Sequence, residues 1–396
     1  MRSFASLTVL KLFNLILPLL AIPYIARVVG VENYGLIAFS AATIVFFQTT
    51  VEYGFNYTAV RDVAREKDNP DKVSEILSSV ITTKIFIFIL CSILFIILSL
   101  TIPLFKNNLM LLLITFLLVP STALYQEWFF QAIEEMQMIA FLSIISRLLY
   151  VLLVFLFVKA PTDYYFVPLF NALAMFLIGM ASLYIIIFKY KYRIYLTSYT
   201  KVKQTLRSNF DMFLSLIAPN LYTNLSTILL TQYWGKAPTA FFDSGYKVVG
   251  LSQIVTSTVS RAFFPLLSRK ISFHSLYKKI NYMIAIISVL VLYFGAELFV
   301  KFMFGENYIK AIDVIKVMSI TPIFVSWMNI YGTNYLVLNN KTKLLRSIII
   351  YCSMLGLFLT IPLVYYFSYL GAAYSICAVW AIRGYTTMFY AKKNGA

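Results

Sequence analysis

Several charged side chains lie inside long apolar stretches of this chain, where they are costly to keep. A charge at the centre of a hydrocarbon layer costs at least about 2.5 kcal/mol, so such residues pair with one another or serve a function. The set comprises the cations Lys11, Lys84, Arg147, Lys247, Arg261, Lys316 and Arg383, and the carboxylates Glu52, Glu127, Asp211, Asp243, Glu297 and Asp313. A carboxyl group in such surroundings is suited to taking up a proton or another cation.

Helical spacing places several of these charges on one face with other polar residues. Lys11 and Asn14 are three residues apart, and Gln48, Glu52 and Asn56 follow one another at intervals of four. The sequence therefore predicts polar stripes on helices that are otherwise apolar. Corresponding stripes occur later in the chain around Asp211 and around Asp243, Lys247 and Arg261.

The amino-acid composition indicates which class of protein carries these charged residues. Of the 396 residues, 61% are hydrophobic and only 12% are charged, about half of the roughly 25% that is usual in soluble domains. The mean hydropathy is +0.81. These values exclude a soluble globular protein, a disordered chain and a disulfide scaffold.

Apolar runs long enough to cross a bilayer, about 20 residues each, recur along the whole chain. We count twelve, near residues 8–26, 35–57, 80–102, 108–130, 138–158, 164–187, 211–232, 240–268, 280–300, 311–336, 345–367 and 369–390. The connections are short, and none is long enough for a soluble catalytic domain. The sequence thus predicts an all-α, polytopic membrane protein with twelve transmembrane helices.

The basic residues predict the orientation. With the N-terminus inside, the cytoplasmic connections hold 20 Lys and Arg residues and the external ones hold 6. Cytoplasmic loops of membrane proteins carry this excess, so we expect both termini to lie inside. Most of the net charge of +17 therefore lies in the cytoplasmic connections and reflects the orientation of the chain in the membrane. It does not indicate nucleic-acid binding, because no basic domain exists.

The two halves of the chain show signs of a duplication. Gly30 follows the first span and Gly235 follows the seventh, 205 residues later, and a second similar pair of segments begins at Trp128 and Tyr335. Parallel repeats of this kind are typical of alternating-access transporters. We expect an N-terminal six-helix lobe at 1–189, a cytoplasmic connection at 190–210 and a C-terminal six-helix lobe at 211–396, with the two bundles pseudo-symmetric.

Segments throughout the chain resemble a known family. Residues 17–36 (LPLLAIPYIARVVGVENYGL), 52–56 (EYGFN), 59–64 (AVRDVA), 127–131 (EWFFQ), 246–249 (YKVV) and 304–308 (FGENY) are similar to blocks of the Wzx-type O-antigen flippases. These belong to the multidrug/oligosaccharidyl-lipid/polysaccharide (MOP) exporter superfamily. The resemblance implies a bacterial inner-membrane protein that moves an undecaprenyl-diphosphate-linked oligosaccharide from the cytoplasmic to the periplasmic leaflet. It also implies contact with membrane lipids, with a polysaccharide polymerase and with chain-length regulators.

A flippase of this kind needs a hydrated cleft with cations for the diphosphate and sugars. The candidates for substrate binding are the cations Lys11, Arg147, Lys247 and Arg261. Those for ion coupling are the carboxylates Glu52, Glu127 and Asp211, and the polar cleft residues are Asn14, Gln48 and Asn56. No nucleotide-binding motif and no metal-ligand cluster is present in the sequence, so we expect no cofactor and no enzyme activity, with a proton or sodium gradient as the energy source.

Other interpretations remain open at the level of sequence. Asp243 and Lys247 are four residues apart and can pair with each other, Glu52 and Glu127 can form helix–helix hydrogen bonds, and Lys84 and Arg383 can reach an interface. The alternative functions are a multidrug or cation exporter of the same superfamily, and a membrane polymerase or glycosyltransferase that uses the same lipid carrier.

Overall fold

A computed structural model of the chain describes residues 2–269 and 273–395, with side chains from Ala21 onward except those of Pro265 and Arg269. Within these ranges every regular element is a helix, which confirms the predicted all-α class. The chain divides into two compact units, Met1–Ile217 and Ala218–Ala396. The division falls inside the predicted seventh span.

The first unit contains ten α-helices: α1 Arg2–Glu52, α2 Phe55–Arg65, α3 Pro70–Thr101, α4 Pro103–Asn107, α5 Leu109–Phe116, α6 Leu118–Leu124, α7 Glu127–Ala132, α8 Met136–Phe157, α9 Phe166–Tyr184 and α10 Tyr199–Ile217. A 3₁₀ turn at Pro161–Tyr165 precedes α9, and a π-helical turn at Ile185–Lys189 follows it. Because α10 begins at Tyr199, the second half of the predicted connection at 190–210 is helical rather than a loop.

The second unit contains the remaining described α-helices: α11 Asn224–Trp234, α12 Lys236–Arg269, α13 His274–Met303, α14 Ala311–Met318, α15 Thr321–Trp327 and α16 Thr342–Lys393. Short 3₁₀ segments lie at Ala218–Leu221 and Glu306–Tyr308, and a π-helical segment at Met328–Leu336 follows α15.

Nine helical segments of the described chain are long and apolar enough to cross a membrane. They are Ala21–Arg65, Pro70–Thr101, Leu109–Ala132, Met136–Phe157, Pro161–Lys189, Tyr199–Trp234, His274–Met303, Ala311–Leu336 and Thr342–Lys393. A residue with non-helical backbone angles interrupts α1 at Gly30 and α16 at Ser368. The polar helix α12 is not among the nine. The chain is therefore a multi-pass membrane protein.

The outward-facing positions of the long helices carry large apolar side chains. On α3, Leu77, Ile87 and Phe95 are at most 5% exposed, whereas Ile89 and Leu100 on other faces are 52% and 71% exposed. Contiguous apolar surface on this scale marks contact with lipid or another protein. Such surface is expected of a helix that faces hydrocarbon.

The two halves of the chain break their helices at corresponding places. Gly30 has φ 76° and ψ 171°, and Gly235, which precedes α12, has φ 85° and ψ −167°. This region of backbone space is open essentially to glycine alone. The two glycines are 205 residues apart and share this geometry, as the duplication that the sequence predicts requires.

A second pair of turns matches at a spacing of 206 residues. Glu134 before α8 and Asn340 before α16 both adopt a left-handed conformation, with φ 65° and 56°. In each case the next backbone N–H donates a hydrogen bond to the carbonyl five residues before it, at 2.8 Å: Glu135 to Phe130 and Lys341 to Leu336. The same local turn therefore starts α8 and α16.

Hydroxyl groups on α3 hold the extended segment that leads to α10. The Ser74 hydroxyl accepts a hydrogen bond from the Arg193 N–H at 3.2 Å, Ser78 accepts one from the Tyr195 N–H at 3.1 Å, and Thr82 accepts one from the Thr197 N–H at 3.2 Å. Ser74, Ser78 and Thr82 follow one another at intervals of four residues and share one helix face. The N–H groups that donate to them belong to every second residue of the extended segment. The start of α10 is thereby fixed against α3 within the first unit.

Replacing Gly235 with alanine tests the backbone constraint. A Cβ at Gly235 would meet no atom within 4 Å, so the expected cost of about 1–3 kcal/mol in the free energy of unfolding comes from the positive φ alone. Gly250 is the matched control, because it also has open space but lies within α12, where alanine is favoured over glycine. Thermal unfolding of the two variants in detergent checks this, and equal midpoints would contradict it.

Replacing Ser78 with alanine tests the hydroxyl contacts. The loss of the acceptor for Tyr195 N–H is worth about 1 kcal/mol, so exchange of that amide with deuterium should become roughly fivefold faster or more. The control is Ser92→Ala on the same helix, because the Ser92 hydroxyl donates only to the Phe88 carbonyl of its own helix. Unchanged exchange at Tyr195 would show that the segment is held by other contacts.

Candidate functional site

A polar cavity of about 180 Å³ lies inside the first unit. Its walls come from α1, α2, α6, α7, α8, α9 and the connection between α6 and α7. The lining residues are Glu52, Asn56, Thr122, Tyr125, Glu127, Ser143, Ser146, Arg147, Met175 and Ile178. Four of the ten candidates from the sequence, Glu52, Asn56, Glu127 and Arg147, are therefore neighbours around one cavity.

Both carboxylates of the cavity stand where a helix ends or begins. Glu52 is the last residue of α1, and Glu127 is the first residue of α7, where the helix dipole favours a negative charge. After Glu52 the chain turns through Tyr53 and Gly54, with φ 46° and 82°. A Cβ at Gly54 would lie 2.8 Å from Cγ of Met212 on α10, so the close approach of α10 also requires glycine.

The break between α6 and α7 is held by a small hydrogen-bond network. The backbone N–H of Gln126 donates to the Ser182 hydroxyl of α9 at 3.1 Å, and its side-chain amide donates to the Ala123 carbonyl at 2.7 Å. The indole N–H of Trp128 donates to Oε1 of Gln126 at 2.7 Å. These contacts satisfy backbone groups that a broken helix would leave unpaired in hydrocarbon, and they fix the position of Glu127.

Four charges form a line of electrostatic neighbours across the first unit. Lys84 interacts with Glu52, Glu52 with Glu127, and Glu127 with Arg147. Lys84 is only 3% exposed, whereas Glu127 is exposed and Glu52 and Arg147 are half-buried. No direct ion pair joins these four in the described part of the chain, so both carboxylates remain available to the cavity.

Neighbouring carboxylates of like charge favour the uptake of a cation or a shared proton. A cavity of about 180 Å³ has room for a few waters at roughly 30 Å³ each and is smaller than the roughly 300–1,000 Å³ of typical small-molecule pockets. Hydroxyls add oxygen ligands, and those of Tyr125 and Ser143 lie 3.4 Å apart. The site is therefore suited to a proton or a small cation.

The remaining candidates do not line this cavity. Gln48 is half-buried on α1, and Asp211 is exposed on α10. Arg261 is exposed on α12, where its Nε donates to the Ser257 carbonyl one turn earlier at 3.4 Å. Lys11 and Asn14 lie on α1, but their side chains are outside the described residues.

Lys247 forms an ion pair with Asp243. The distance between its Nζ and Oδ2 of Asp243 is 2.6 Å, one turn apart on α12. This pairing is one of the two interpretations that the sequence leaves open. The ion pair with Asp243 therefore occupies the charge of Lys247, which the sequence predicts to bind substrate.

Lys84 is the charged residue that sequence reasoning placed wrongly, at the end of a span and within reach of an interface. Helix α3 begins at Pro70, ten residues before the predicted start, so Lys84 lies deep in the helix. The sequence does hold a signal, because Lys84 shares the buried stripe formed by Leu77, Val80, Ile87 and Cys91. A cation at a core position of such a stripe has to meet a carboxylate from another helix.

Two curated relatives cover almost all of the chain. The chain is 28% identical over 401 aligned positions to a protein of Escherichia coli (strain K12) that is named “Putative O-antigen transporter”, covering 99% of this chain and 97% of that one. A protein of the same name from Shigella dysenteriae is 26% identical, covering 92% of each chain.

Solved structures of membrane transporters share the fold. The lipid II flippase MurJ in an inward closed conformation superimposes with a TM-score of 0.79 at 16% identity, covering 98% of this chain and 87% of that one. An inward-facing multidrug resistance MATE family transporter of the MOP superfamily gives 0.71 at 13% identity, covering 96% and 94%. These likenesses establish a transporter fold.

The comparisons also decide between the classes of function. The relatives are transporters and not enzymes, so a membrane polymerase or glycosyltransferase is excluded. The sequence profile of the family described as “Polysaccharide biosynthesis protein” matches residues 1–271, which is more than half of the 396 residues. The cavity of the first unit lies entirely within that range, and the chain belongs to the polysaccharide biosynthesis protein family.

Proposed function

We propose that this chain is a flippase that moves an undecaprenyl-diphosphate-linked oligosaccharide, an O-antigen repeat unit, from the cytoplasmic to the periplasmic leaflet of a bacterial inner membrane. The observation that carries the proposal is the cavity of Glu52, Glu127 and Arg147 inside apolar helices of this family's fold. Charges inside the apolar helices of a membrane protein mark substrate or ion pathways. The names of the two curated relatives support the substrate class.

The proposal includes twelve membrane spans with both termini in the cytoplasm. Dividing two of the nine segments at Gly30 and Ser368 and adding α12 gives twelve, and the basic residues favour this orientation. The two lobes are residues 1–189 and 211–396, joined through 190–210. Membrane lipids surround the lobes, and a polysaccharide polymerase and chain-length regulators act with the flippase.

The energy source in this proposal is an ion gradient, either of protons or of sodium. Glu52 and Glu127 take up the ion in the first-unit cavity, and Asp211 on α10 is a further candidate. Loading the carboxylates removes their mutual repulsion and changes the balance of charge against Lys84 and Arg147. A change of charge balance at a helix break is a direct way to favour one of two conformations.

The acidic cavity also favours a second candidate, an exporter of drugs or other organic cations within the same superfamily. Its carboxylates could bind a cationic substrate, and the fold is shared with a MATE family transporter. Expression in an efflux-deficient bacterium distinguishes the two functions. Resistance to cationic drugs without any effect on surface polysaccharide would favour the exporter.

Complementation of a flippase-deficient bacterium tests the leading proposal. We expect the chain to restore surface polysaccharide, and we expect Arg147→Ala to reduce it about tenfold or more without reducing the amount of protein in the membrane. Arg261→Ala should have the smaller effect, because Arg261 does not line the cavity. Failure of the unchanged chain with several O-antigen clusters, or normal polysaccharide with both variants, would contradict the assignment.

Replacing Glu52 with glutamine tests the coupling. The amide has nearly the same shape but cannot carry the negative charge, so transport in vesicles should lose its response to an imposed proton or sodium gradient. Glu32→Gln, at an exposed position of the same helix, should keep the full response. If Glu52→Gln keeps that response as well, Glu52 is not the coupling residue.

A further inference from the structure

A connection of the first unit combines exposed cations with exposed apolar side chains. It comprises residues 190–198, between the π-helical turn and α10, and we call it the strap. The cations in the strap or close to its ends are Lys189, Lys191, Arg193, Lys201, Lys203 and Arg207. No carboxylate occurs in the sequence between Asp163 and Asp211. Clusters of about four to eight cations next to a membrane helix are typical of segments that bind anionic lipids.

The side chains of the strap alternate between the protein interior and its surroundings. Tyr190, Tyr192 and Ile194 pack against a buried hydrophobic cluster of the first unit. Lys191 and Arg193, which lie between them in the sequence, are exposed. The hydrogen bonds from the strap to the hydroxyl groups of α3 maintain this register. The packing of their neighbours therefore holds the two cations on the outer side.

The cations of the strap have no carboxylate partner. No ion pair involves Lys189, Lys191 or Arg193 in the described part of the chain. Glu75 lies on the part of α3 that holds the strap, but its carboxylate contacts Nζ of Lys201 at 2.7 Å. Neighbouring cations without a countercharge repel one another, so the binding of an anion between them is favoured.

The membrane helix before the strap ends at the first of these cations. Among the described segments that can cross a membrane is Pro161–Lys189, and its last turns carry the exposed apolar side chains of Tyr184 and Phe188. Lys189 and Lys191 follow directly. Long cationic side chains at the end of a membrane helix place their charge at the level of the lipid headgroups. The phosphate groups of the bilayer therefore lie within reach of the strap.

The exposed side chains change from basic to apolar along the strap. After Arg193 come Leu196 and Tyr199, which are 80% and 69% exposed. The ring of Tyr199 is 6.4 Å from the ring of Phe86 on α3, between centroids, and the next side chain of α3, Ile85, is exposed. Cations beside exposed apolar surface match the two zones of a lipid, and both kinds of contact strengthen binding at an interface.

We propose that the strap binds an anionic phospholipid of the surrounding bilayer. Its phosphate contacts the cations Lys189, Lys191 and Arg193, and its acyl chains lie against Leu196 and Tyr199. A lipid with a net negative charge is favoured over a zwitterionic one, because the cations repel the ammonium group of a zwitterionic headgroup. The lipid belongs to the bilayer and is not the transported molecule, so the proposal does not depend on the proposed function.

Lipid cross-linking on the purified full chain in an uncharged detergent tests this surface. The probe is phosphatidylglycerol with a photoreactive group on one acyl chain, and mass spectrometry identifies the residues that it modifies. We expect saturable cross-linking at residues 190–199. Unlabelled phosphatidylglycerol should displace the probe about tenfold more effectively than phosphatidylcholine, and inorganic phosphate at the same concentration should not displace it. Because the cations are exposed, binding should weaken as the salt concentration rises.

Removing the cations of the strap is the decisive change. Each cation near an anionic surface strengthens binding by about fivefold, so removing three should weaken it about tenfold or more. The triple variant is Lys189→Gln, Lys191→Gln and Arg193→Gln. The matched control removes three exposed cations of the same unit that already contact carboxylates and should change binding by less than about twofold. It consists of Arg61→Gln, Lys67→Gln and Lys72→Gln.

Several outcomes would overturn the proposal. An equal loss of binding in the two triple variants would show that the net charge of the protein attracts the lipid and that the strap does not. Equal displacement by phosphatidylcholine, displacement by inorganic phosphate, or cross-links confined to other segments would contradict it as well. Binding of poly-glutamate without any binding of phosphatidylglycerol would assign the surface to an acidic protein.

Single variants keep the proposal testable if the triple variant does not fold. Arg193→Gln should weaken the binding of phosphatidylglycerol about fivefold, whereas Arg193→Lys keeps the charge and should retain it. If both variants lose binding to the same extent, the packing of Arg193 and not its charge is responsible, and the proposal fails.

Discussion

A charge inside the hydrocarbon layer has to be balanced by other groups of the protein, and this constraint organises the first unit. Lys84 occupies a core position on α3 between Val80 and Ile87 and is nearly inaccessible. Its electrostatic neighbour Glu52 comes from the end of α1. No direct ion pair joins Lys84 and Glu52 in the described part of the chain, so the two charges attract each other across the space between α1 and α3. Glu52 also lines the cavity, which links the packing of the unit to its chemistry.

Broken helices are the second element on which the site depends. An interrupted helix leaves N–H and C=O groups that lipid cannot satisfy, so breaks are tolerated only where the protein pairs them or lines a cavity. The break after Glu52 and the break before Glu127 both lie at the first cavity, and the network of Gln126, Trp128 and Ser182 pairs the second. The positions of the two carboxylates are therefore set by where the helices stop.

The apolar runs made most of this fold predictable from the sequence, because hydrophobic length alone sets the position of a membrane helix. The spacing of Gly30 and Gly235 likewise predicts a duplication, with a glycine after the first and the seventh span. The candidate site was predictable only in part. Glu127 and Arg147 meet Glu52 through contacts between helices far apart in the chain, which periodicity cannot reveal. The distance of Arg383 from a predicted helix end indicates an interface, and its spacing from Trp380 and Thr387, both buried, indicates a packed stripe.

The charges of the first cavity differ from those of α12 in whether they are occupied within the protein. Arg147 is an electrostatic neighbour of Glu127, and Glu127 is a neighbour of Glu52, yet no direct ion pair joins them in the described part of the chain. On α12 the carboxylate of Asp243 is held by Lys247 one turn away, at 2.6 Å. A charge that is paired within its own helix has little left to offer a ligand, whereas the carboxylates of the first cavity can still change their charge by taking up a proton or another cation.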